Sequence, residues 1–164
     1  MSLAALILVF VTLQRLGELV LARRNTAWLR AQGAYEVGAG HYPLIVLLHA
    51  AWLVGLWYLA VWRGPAEVAL GWLAVFALLQ LLRAWVIVTL GRRWTTRILV
   101  LPNAPLVSAG PYRFVAHPNY CVVAAEILVL PLVFDLLAFG VVFSVLNAVV
   151  LWLRIRSESA ALHP

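Results

Sequence analysis

Residues 101–120, with the sequence LPNAPLVSAGPYRFVAHPNY, carry the highest density of side chains that could take part in chemistry. Gly110-Pro111 predicts a turn, and Pro118 predicts the first turn of a helix, where its missing N–H costs nothing. His117 would then lie at the helix start, where free N–H groups and the positive end of the dipole bind anions such as a carboxylate. An interfacial loop anchored by aromatic residues explains the segment equally well, so both interpretations stay open. The residues that favour a binding site are Tyr112, Arg113, His117, Asn119 and Tyr120.

Ionisable residues also lie inside apolar stretches, where each one is a functional hypothesis by default. Glu126 follows Pro118 by about two helical turns and has no basic neighbour in sequence, so it must be protonated, paired across helices, or facing a wet cavity. We predict it as a candidate catalytic residue. Arg15 and Glu18 are three residues apart and predict a structural pair on one helix face. Arg83 lies near the end of its stretch and is expected to extend to the interface.

Two histidines and one cysteine complete the candidates. His49 lies among apolar residues and either forms a structural hydrogen bond, the more frequent case, or contacts a substrate. His41 begins the same stretch at the interface, where it could reach a head group or a substrate. Both are predicted substrate residues, whereas His163 is assigned no role. Cys121 is the only cysteine, which excludes an internal disulfide and a multi-cysteine zinc site, and no metal site is predicted.

The composition places these residues in a membrane protein. Hydrophobic residues make up 65% of the 164 residues and charged residues 11%, against about 45–50% and about 25% in soluble domains. This excludes an ordinary water-soluble globule and a disordered chain, and the length predicts one domain, residues 1–164. The net charge of +6 comes from arginine alone and favours a membrane surface over nucleic acid, whose binding proteins carry basic residues on a polar domain.

Five apolar stretches approach the ~20 residues that cross a bilayer. They predict an all-α polytopic integral membrane protein with about five transmembrane helices, the last two forming a hairpin at Asp135. Because the stretches are short, a shallow or re-entrant last pair stays open. The first has no basic residue ahead of it, which predicts a retained span rather than a signal peptide. The stretches are residues 3–22, 44–62, 68–90, 120–134 and 136–153.

Arginine placement predicts the orientation. Arginines concentrate in loops 23–43 and 91–119 and after residue 153, whereas the opposite side holds only Arg63. Positive residues stay cytoplasmic, so we predict an N-terminus outside the bacterial plasma membrane, and a C-terminus and active site at its cytoplasmic face. Tryptophans near the predicted span ends are interpreted as interface anchors; they are Trp28, Trp57, Trp62, Trp94 and Trp152.

Several of these motifs together resemble a known family. Gly110-Pro111-Tyr112, then His117-Pro118-Asn119-Tyr120, then Arg154-Ile155 with Glu158 and Leu162, resemble the signature of the isoprenylcysteine carboxyl methyltransferase family, part of which phospholipid N-methyltransferases share. The N-terminal half is similar to a short bacterial branch that looks like alkylpyrone O-methyltransferases. The residues that carry this second resemblance are Gln14-Arg15, Glu18-Leu19, Arg24-Asn25, Gly33-Ala34, Glu36, His41-Tyr42-Pro43 and His49.

The resemblance implies a cofactor, S-adenosyl-L-methionine, held without a Rossmann domain by about residues 94–162. This agrees with the lack of a strand followed by G-x-G-x-x-G in the sequence. Ala116 stands where the family usually has arginine, and the C-terminal tail is short, which weakens the case for a prenyl-protein substrate. The implied cofactor contacts are Leu106, Val107, Tyr112, His117, Pro118, Asn119, Tyr120 and Glu158, with looser matches at Arg97, Ala104 and Pro105.

These observations predict an integral membrane O-methyltransferase for a lipophilic anionic acceptor such as an alkylpyrone. The resemblance links Arg154 to the substrate, and we predict it as a catalytic residue that holds the acceptor anion. A prenylcysteine carboxylate or a lipid amine stays open, and an amine would favour a deprotonating residue such as Glu126 or His49. The alternative from another class is a non-catalytic membrane protein with a proton path through Glu126, His49 and Arg83. The expected partners are a lipophilic small molecule and membrane lipid.

Overall fold

A computed structural model describes residues 2–64 and 66–162, so His163 lies outside the described residues. The chain is predominantly helical with one small two-stranded sheet, which confirms the predicted all-α membrane fold. The main elements are α1 (Leu3–Ala31), β1 (Tyr35–Val37), α2 (Tyr42–Trp57, continued by a π-helical turn Tyr58–Trp62), α3 (Leu70–Leu90), β2 (Ile98–Val100), α4 (Pro118–Val133) and α5 (Leu137–Leu162).

Within residues 2–64 and 66–162, four helical segments are long and apolar enough to cross a membrane, and they contain α1, α2, α3 and α5. The predicted fourth span is α4, which has only 16 residues. At about 1.5 Å per residue it measures about 24 Å, less than the ~30 Å hydrocarbon core. It packs between α3 and α5 and is the most buried helix, with Ile127, Leu130 and Val133 almost fully enclosed. The shallow alternative for the last pair therefore applies to α4 alone.

Both terminal helices extend beyond the apolar stretches that predicted them. The hydroxyl of Ser2 caps α1 by accepting from the Ala5 N–H at 3.2 Å. The helix continues through the arginines after residue 22, because they are good helix formers and no glycine or proline intervenes before Gly33. Likewise α5 passes the predicted end of its span and carries Arg154 and Glu158 one turn apart on one face.

The strands β1 and β2 come from the two long loops and pair antiparallel, with Glu36 opposite Leu99. The sequence did not predict this sheet, because three residues are too few for an alternating pattern. Glu36 accepts hydrogen bonds from Arg30 at 2.6 Å and Arg97 at 2.5 Å, which adds charge pairing to the strand contact. The pairing confirms that both long loops lie at the same end of the bundle.

A tight turn joins α4 to α5 at the other end of the bundle, and packing in the interior holds α2 against α4. Asp135 adopts the left-handed conformation (φ 57°) between α4 and α5, as the predicted hairpin requires. Trp52 of α2 is buried and donates its indole N–H to the carbonyl of Ile127 at 3.1 Å, which ties α2 to α4. Trp62 is exposed at the end of the π-helical turn, and Trp152 is exposed within α5 near the predicted end of its span. Trp94 is only 3% exposed, so its predicted anchor role is wrong.

Candidate active site

The loop before α4 is shaped by Gly110. Its φ of +57° favours glycine, and a Cβ there would lie 2.5 Å from the hydroxyl oxygen of Thr89 on α3. The predicted turn is present as a short 3₁₀ helix, Gly110–Arg113. The helix α4 then begins at Pro118 with His117 as its N-cap, as predicted, and no side chain caps it in the described structure. Pro118 has no N–H, and the N–H groups of Tyr120 and Cys121 already donate to the His117 carbonyl. Among these first residues of α4, the N–H of Asn119 is therefore the donor that the described structure leaves available to a ligand.

The helix start and the end of α5 meet, although 38 residues separate them. The hydroxyl of Tyr120 donates to a carboxylate oxygen of Glu158 at 2.7 Å. The Nδ1 atom of His117 lies 3.7 Å from the same oxygen, and the His117 and Tyr120 rings stack with centroids 5.4 Å apart. The predicted pocket residues at 112–120 and at 158 are thus brought into one site.

A cavity of about 490 Å³, here called the loop cavity, opens between this site and loop 94–108. Its volume lies within the range of small-molecule and cofactor sites. Desolvation, with the nearby Glu158 charge, raises the pKa of Tyr112 to about 12. Pro118 does not line the cavity but is buried as the first residue of α4. The other predicted cofactor residues do line it: Leu106, Val107, Tyr112, His117, Asn119, Tyr120 and Glu158, with Arg97, Ala104 and Pro105.

A second cavity of about 310 Å³, here called the membrane cavity, lies among α1, α2 and α4. Its walls are mainly apolar and include Leu16, Leu19, Val46 and Leu53. Several of these side chains are partly exposed on the outer, lipid-facing surface of the bundle. Residues that line both cavities mark the junction between them; these are Trp94, Thr95, Asn119, Tyr120 and Arg154.

Arg154 is an unpaired cation at this junction. It is 6% exposed, donates one hydrogen bond to the Thr96 carbonyl at 2.9 Å, and lies 5.7 Å from the centre of the Tyr120 ring. Within residues 2–64 and 66–162, no carboxylate lies within ion-pair distance of it, and its buried Nε has no partner. Because an uncompensated buried charge is costly, this geometry is typical of a site that receives an anion.

The charges inside the spans, in contrast, form a closed group that we call the buried quartet: Arg15, Glu18, Arg83 and Glu126. Arg15 binds Glu18 at 3.0 Å, which confirms the predicted pair, and Glu126 at 2.8 Å. Arg83 binds Glu18 at 2.5 Å and Glu126 at 2.8 Å, so its predicted extension to the interface is wrong. Pairing with two carboxylates holds it inward.

Of the alternatives for Glu126, pairing across helices is therefore the one observed. Its carboxylate also accepts a hydrogen bond from Gln80 at 2.8 Å, and its side chain is 2% exposed. Both of its carboxylate oxygens therefore accept hydrogen bonds from side chains of α1 and α3. The geometry favours a structural role for Glu126, although it also lines the membrane cavity.

Comparisons with known proteins agree with this architecture. The family model described as "Isoprenylcysteine carboxyl methyltransferase (ICMT) family" matches residues 72–164. A Bacillus subtilis (strain 168) protein, described as "Uncharacterized protein YpbQ", is 40% identical over 160 residues, which cover 96% of this chain and 95% of that one. The chain belongs to the isoprenylcysteine carboxyl methyltransferase family. No solved structure gives a significant match. The protein is thus a membrane member of a methyltransferase family.

The region matched by this family's model contains the whole loop 94–120 and the end of α5, and so every predicted cofactor residue. The two histidines that were predicted as substrate residues differ in their position relative to the cavities. His49 lines the membrane cavity, whereas His41 lines neither cavity in the described structure, and its Nε2 is buried without a partner there. Its neighbour Tyr42 does line the membrane cavity and forms a hydroxyl–hydroxyl hydrogen bond of 3.1 Å with Thr96.

Sequence reasoning missed two residues of this family member's site. Trp94 lies at the junction of the cavities, and its carbonyl accepts a hydrogen bond of 2.7 Å from the amide of Asn25. Asn25 also donates to the Gly91 carbonyl at 3.1 Å and is itself buried at the end of α1. The available signal was the pair Arg24-Asn25, which the sequence analysis counts among the residues of the second resemblance without assigning Asn25 a role.

Proposed function

We propose that this protein is an integral membrane S-adenosyl-L-methionine-dependent O-methyltransferase that acts on a lipophilic anionic acceptor such as an alkylpyrone. The single observation that carries the proposal is Arg154, a buried guanidinium without a carboxylate partner among the described residues, at the junction of two cavities. A planar guanidinium binds an oxygen anion through charge-assisted hydrogen bonds. An acceptor there would present its oxygen to the loop cavity and its alkyl tail to the membrane cavity.

The loop cavity fits the proposed cofactor. Glu158 is about a quarter exposed in the cavity and can pair with the ammonium group of S-adenosyl-L-methionine. The N–H of Asn119 and the positive end of the α4 dipole, with His117, can hold its carboxylate. Leu106 and Val107 offer apolar surface to the rest of the molecule. When bound, the cofactor supplies a methyl group on a cationic sulfur, which an oxygen anion attacks in line.

The protein's own contribution is position and exclusion of water. Holding two reactants in line can supply several kcal/mol, roughly 7–11 at the limit. A carboxylate or an acidic enol is already ionised near neutral pH, so the transfer requires no strong general base. This agrees with the closed pairing of Glu126, both of whose carboxylate oxygens already accept hydrogen bonds in the described structure.

The membrane cavity supports a lipophilic acceptor. Burying an alkyl chain contributes about 0.8 kcal/mol per CH₂ relative to water, and such an acceptor resides in the bilayer beside the helices. The arginine-rich end of the bundle, where the loop cavity lies, is the end we assign to the cytoplasm. The cofactor would therefore come from the cytoplasm and the acceptor from the membrane.

The first test is cofactor binding by the purified protein, measured by calorimetry in detergent. We expect binding by the wild type and loss of binding in Glu158→Ala and in His117→Ala. Glu67→Gln is the matched control, because Glu67 is exposed in the connection before α3, at the opposite end of the bundle. A folded wild type that binds no S-adenosyl-L-methionine contradicts the proposal and supports a non-catalytic membrane protein.

The second test identifies the acceptor. The protein is incubated with methyl-labelled cofactor and a panel of alkylpyrones, prenylcysteines and lipid amines, and the products are identified by mass spectrometry. We expect a methylated oxygen on an alkylpyrone, because Arg154 favours an anion over a cationic amine. A labelled prenylcysteine ester would support an O-methyltransferase with a different acceptor from the one proposed. A labelled amine would contradict the proposed role of Arg154.

A further inference from the structure

Two hydrogen-bond donors without partners lie at the junction of the two cavities. Among the described residues, six buried side-chain nitrogen and oxygen atoms have no hydrogen-bond partner. Two of them are Nε1 of Trp94 and Nε of Arg154, and both residues line the loop cavity and the membrane cavity. The other four atoms belong to residues that line neither cavity, namely Gln14, His41, Ser144 and Asn147.

The two atoms at the junction share one chemistry, because each can only donate a hydrogen bond. An indole and a guanidinium carry N–H groups and no acceptor. Trp94 is 3% exposed and Arg154 is 6% exposed, so bulk water does not reach them freely. Since a buried donor without a partner is unfavourable, the pair is typical of a site that a ligand completes. The ligand must bring oxygen atoms that accept.

The backbone places the two residues next to each other. The Thr96 carbonyl, which accepts from Arg154 at 2.9 Å, lies two residues after Trp94, and two residues span at most about 7 Å. The carbonyl of Trp94 accepts from Asn25 at 2.7 Å, and its indole packs against α1 and α3. Both donors are therefore fixed in the wall between the cavities.

Neighbouring hydroxyl groups already have partners. The hydroxyl of Thr95 donates to the Arg97 carbonyl at 2.5 Å. The hydroxyls of Tyr42 and Thr96 form a hydrogen bond of 3.1 Å with each other. The two unpartnered donors thus stand in an otherwise connected polar region, and what this region lacks is an accepting oxygen.

We propose that the acceptor binds through two oxygens that share its negative charge. One accepts from Arg154 and receives the methyl group, and the other accepts from the indole N–H of Trp94. This inference rests on the proposed function and narrows its acceptor to acids whose conjugate base delocalises its charge over two oxygens. In the transfer, a lone pair of the first oxygen forms the O–C bond while the C–S bond breaks and leaves its electrons on sulfur. No proton moves, because the acceptor is already an anion.

The anion of a 6-alkyl-4-hydroxy-2-pyrone fits this arrangement. It shares its charge between the 4-oxygen and the ring carbonyl oxygen, and the alkyl chain leaves from the opposite side of the ring. The chain can enter the membrane cavity while both oxygens face the junction. A carboxylate has the same two-oxygen chemistry, and the acceptor panel described above distinguishes it from a pyrone. A cationic lipid amine would leave both donors unpaired.

Equilibrium binding tests the role of Trp94 apart from methyl transfer. The protein is loaded with S-adenosyl-L-homocysteine, which has no methyl group to transfer, and is titrated by calorimetry with two anions. One is the 6-alkyl-4-hydroxy-2-pyrone. The other is a trifluorinated 3-alkylphenol with the same chain, which ionises in mildly alkaline buffer but carries one oxygen. In Trp94→Phe we expect the Kd of the pyrone to rise about tenfold, the equivalent of one buried hydrogen bond, and that of the phenol to change by less than about twofold.

Trp72→Phe is the matched control, because Trp72 is 44% exposed near the start of α3 and lines neither cavity in the described structure. It should leave both dissociation constants unchanged. Binding of S-adenosyl-L-homocysteine verifies the fold of each variant. If Trp94→Phe fails to fold, benzothienylalanine at position 94 keeps the shape of the ring and exchanges the N–H for sulfur.

Equal losses of affinity for the two anions would mean that Trp94 acts only through packing, and they overturn the inference. An unchanged affinity for the pyrone also overturns it, since water rather than the acceptor would then bind the indole N–H. Both results leave methylation of the pyrone by the wild type intact. A wild type that binds no pyrone overturns the proposed acceptor and this inference with it.

Discussion

Two groups of polar side chains lie within the helical bundle, and they differ in whether their charges are paired. In the buried quartet each arginine binds both glutamates, and the group links α1, α3 and α4. At the junction of the cavities, Arg154 donates to a backbone carbonyl and lies over the Tyr120 ring, and no described carboxylate pairs with it. In a low-dielectric interior a closed set of charges holds helices together, whereas an open charge is maintained for a ligand.

The largest effect expected from this contrast is on stability. Glu126→Ala would leave Arg15 and Arg83 each short of one partner in the interior, at a cost of about 3–5 kcal/mol in the free energy of unfolding. Denaturant unfolding in mixed micelles, followed by circular dichroism, measures the change. The matched control is Glu36→Ala, which removes a more exposed pair at the small sheet and should cost about 1 kcal/mol. Equal losses in the two variants would contradict the structural role of the quartet.

The next effect separates activity from stability at Arg154. Arg154→Met keeps the apolar stem and removes the unpaired charge, so the free energy of unfolding should change by about 1 kcal/mol at most, the value of the hydrogen bond to Thr96. Methyl transfer, in contrast, should fall by about 10²- to 10³-fold, because the acceptor anion loses its charged partner.

Cofactor binding is measured on the same protein preparations. The dissociation constant of the cofactor should be unchanged within a factor of a few in Arg154→Met. Such a result would place Arg154 on the acceptor side of the junction. A large loss of stability with activity lost only in proportion would instead make Arg154 a second structural charge, and the contrast between the two groups would fail.

Local signals in the sequence predicted the helices and pointed to the polar segment 112–120 of the loop cavity, whereas Leu106 and Val107 came only from the family resemblance. Apolar runs specify the spans, Pro118 and Asp135 sit at the start of α4 and in the turn after it, and the turn at Gly110 follows from its residue types. Glu158 required the resemblance, since no local pattern links it to His117 across 41 positions of sequence. Their contact follows from the continuation of α5 past residue 153, the predicted end of its apolar stretch, which periodicity at a helix end indicates only weakly.

The sequence failed where the outcome depends on contacts between helices. Arg83 lies close enough to its helix end to reach water, but two carboxylates from α1 and α4 hold it inside. Trp94 follows a basic segment as an interface anchor would, but Asn25 binds its carbonyl and the loop folds over it. The two strands pair across more than 60 residues of chain. In each case the partner lies on another element, and no property of a single segment identifies it.

The smallest expected effect is on the ionisation of Tyr112, and it tests whether the loop cavity is shielded from water. Desolvation and the Glu158 charge raise the pKa of Tyr112 to about 12, above the ordinary value of about 10. Folding thus favours the protonated phenol, so this contribution to stability is full below pH 10 and is lost as the pH rises towards 12. The wild-type melting temperature should therefore fall more steeply over this interval than that of Tyr112→Phe.

An ultraviolet titration of tyrosinate locates this ionisation directly, from the difference between the wild type and Tyr112→Phe. The difference should titrate near pH 12, and Glu158→Gln should move it to lower pH because the neighbouring negative charge is removed. A difference that titrates near pH 10 would mean that water reaches Tyr112 freely. The loop cavity would then resemble an exposed groove. It would differ from the buried quartet only in its access to solvent, and it would not be a site prepared for a charged ligand.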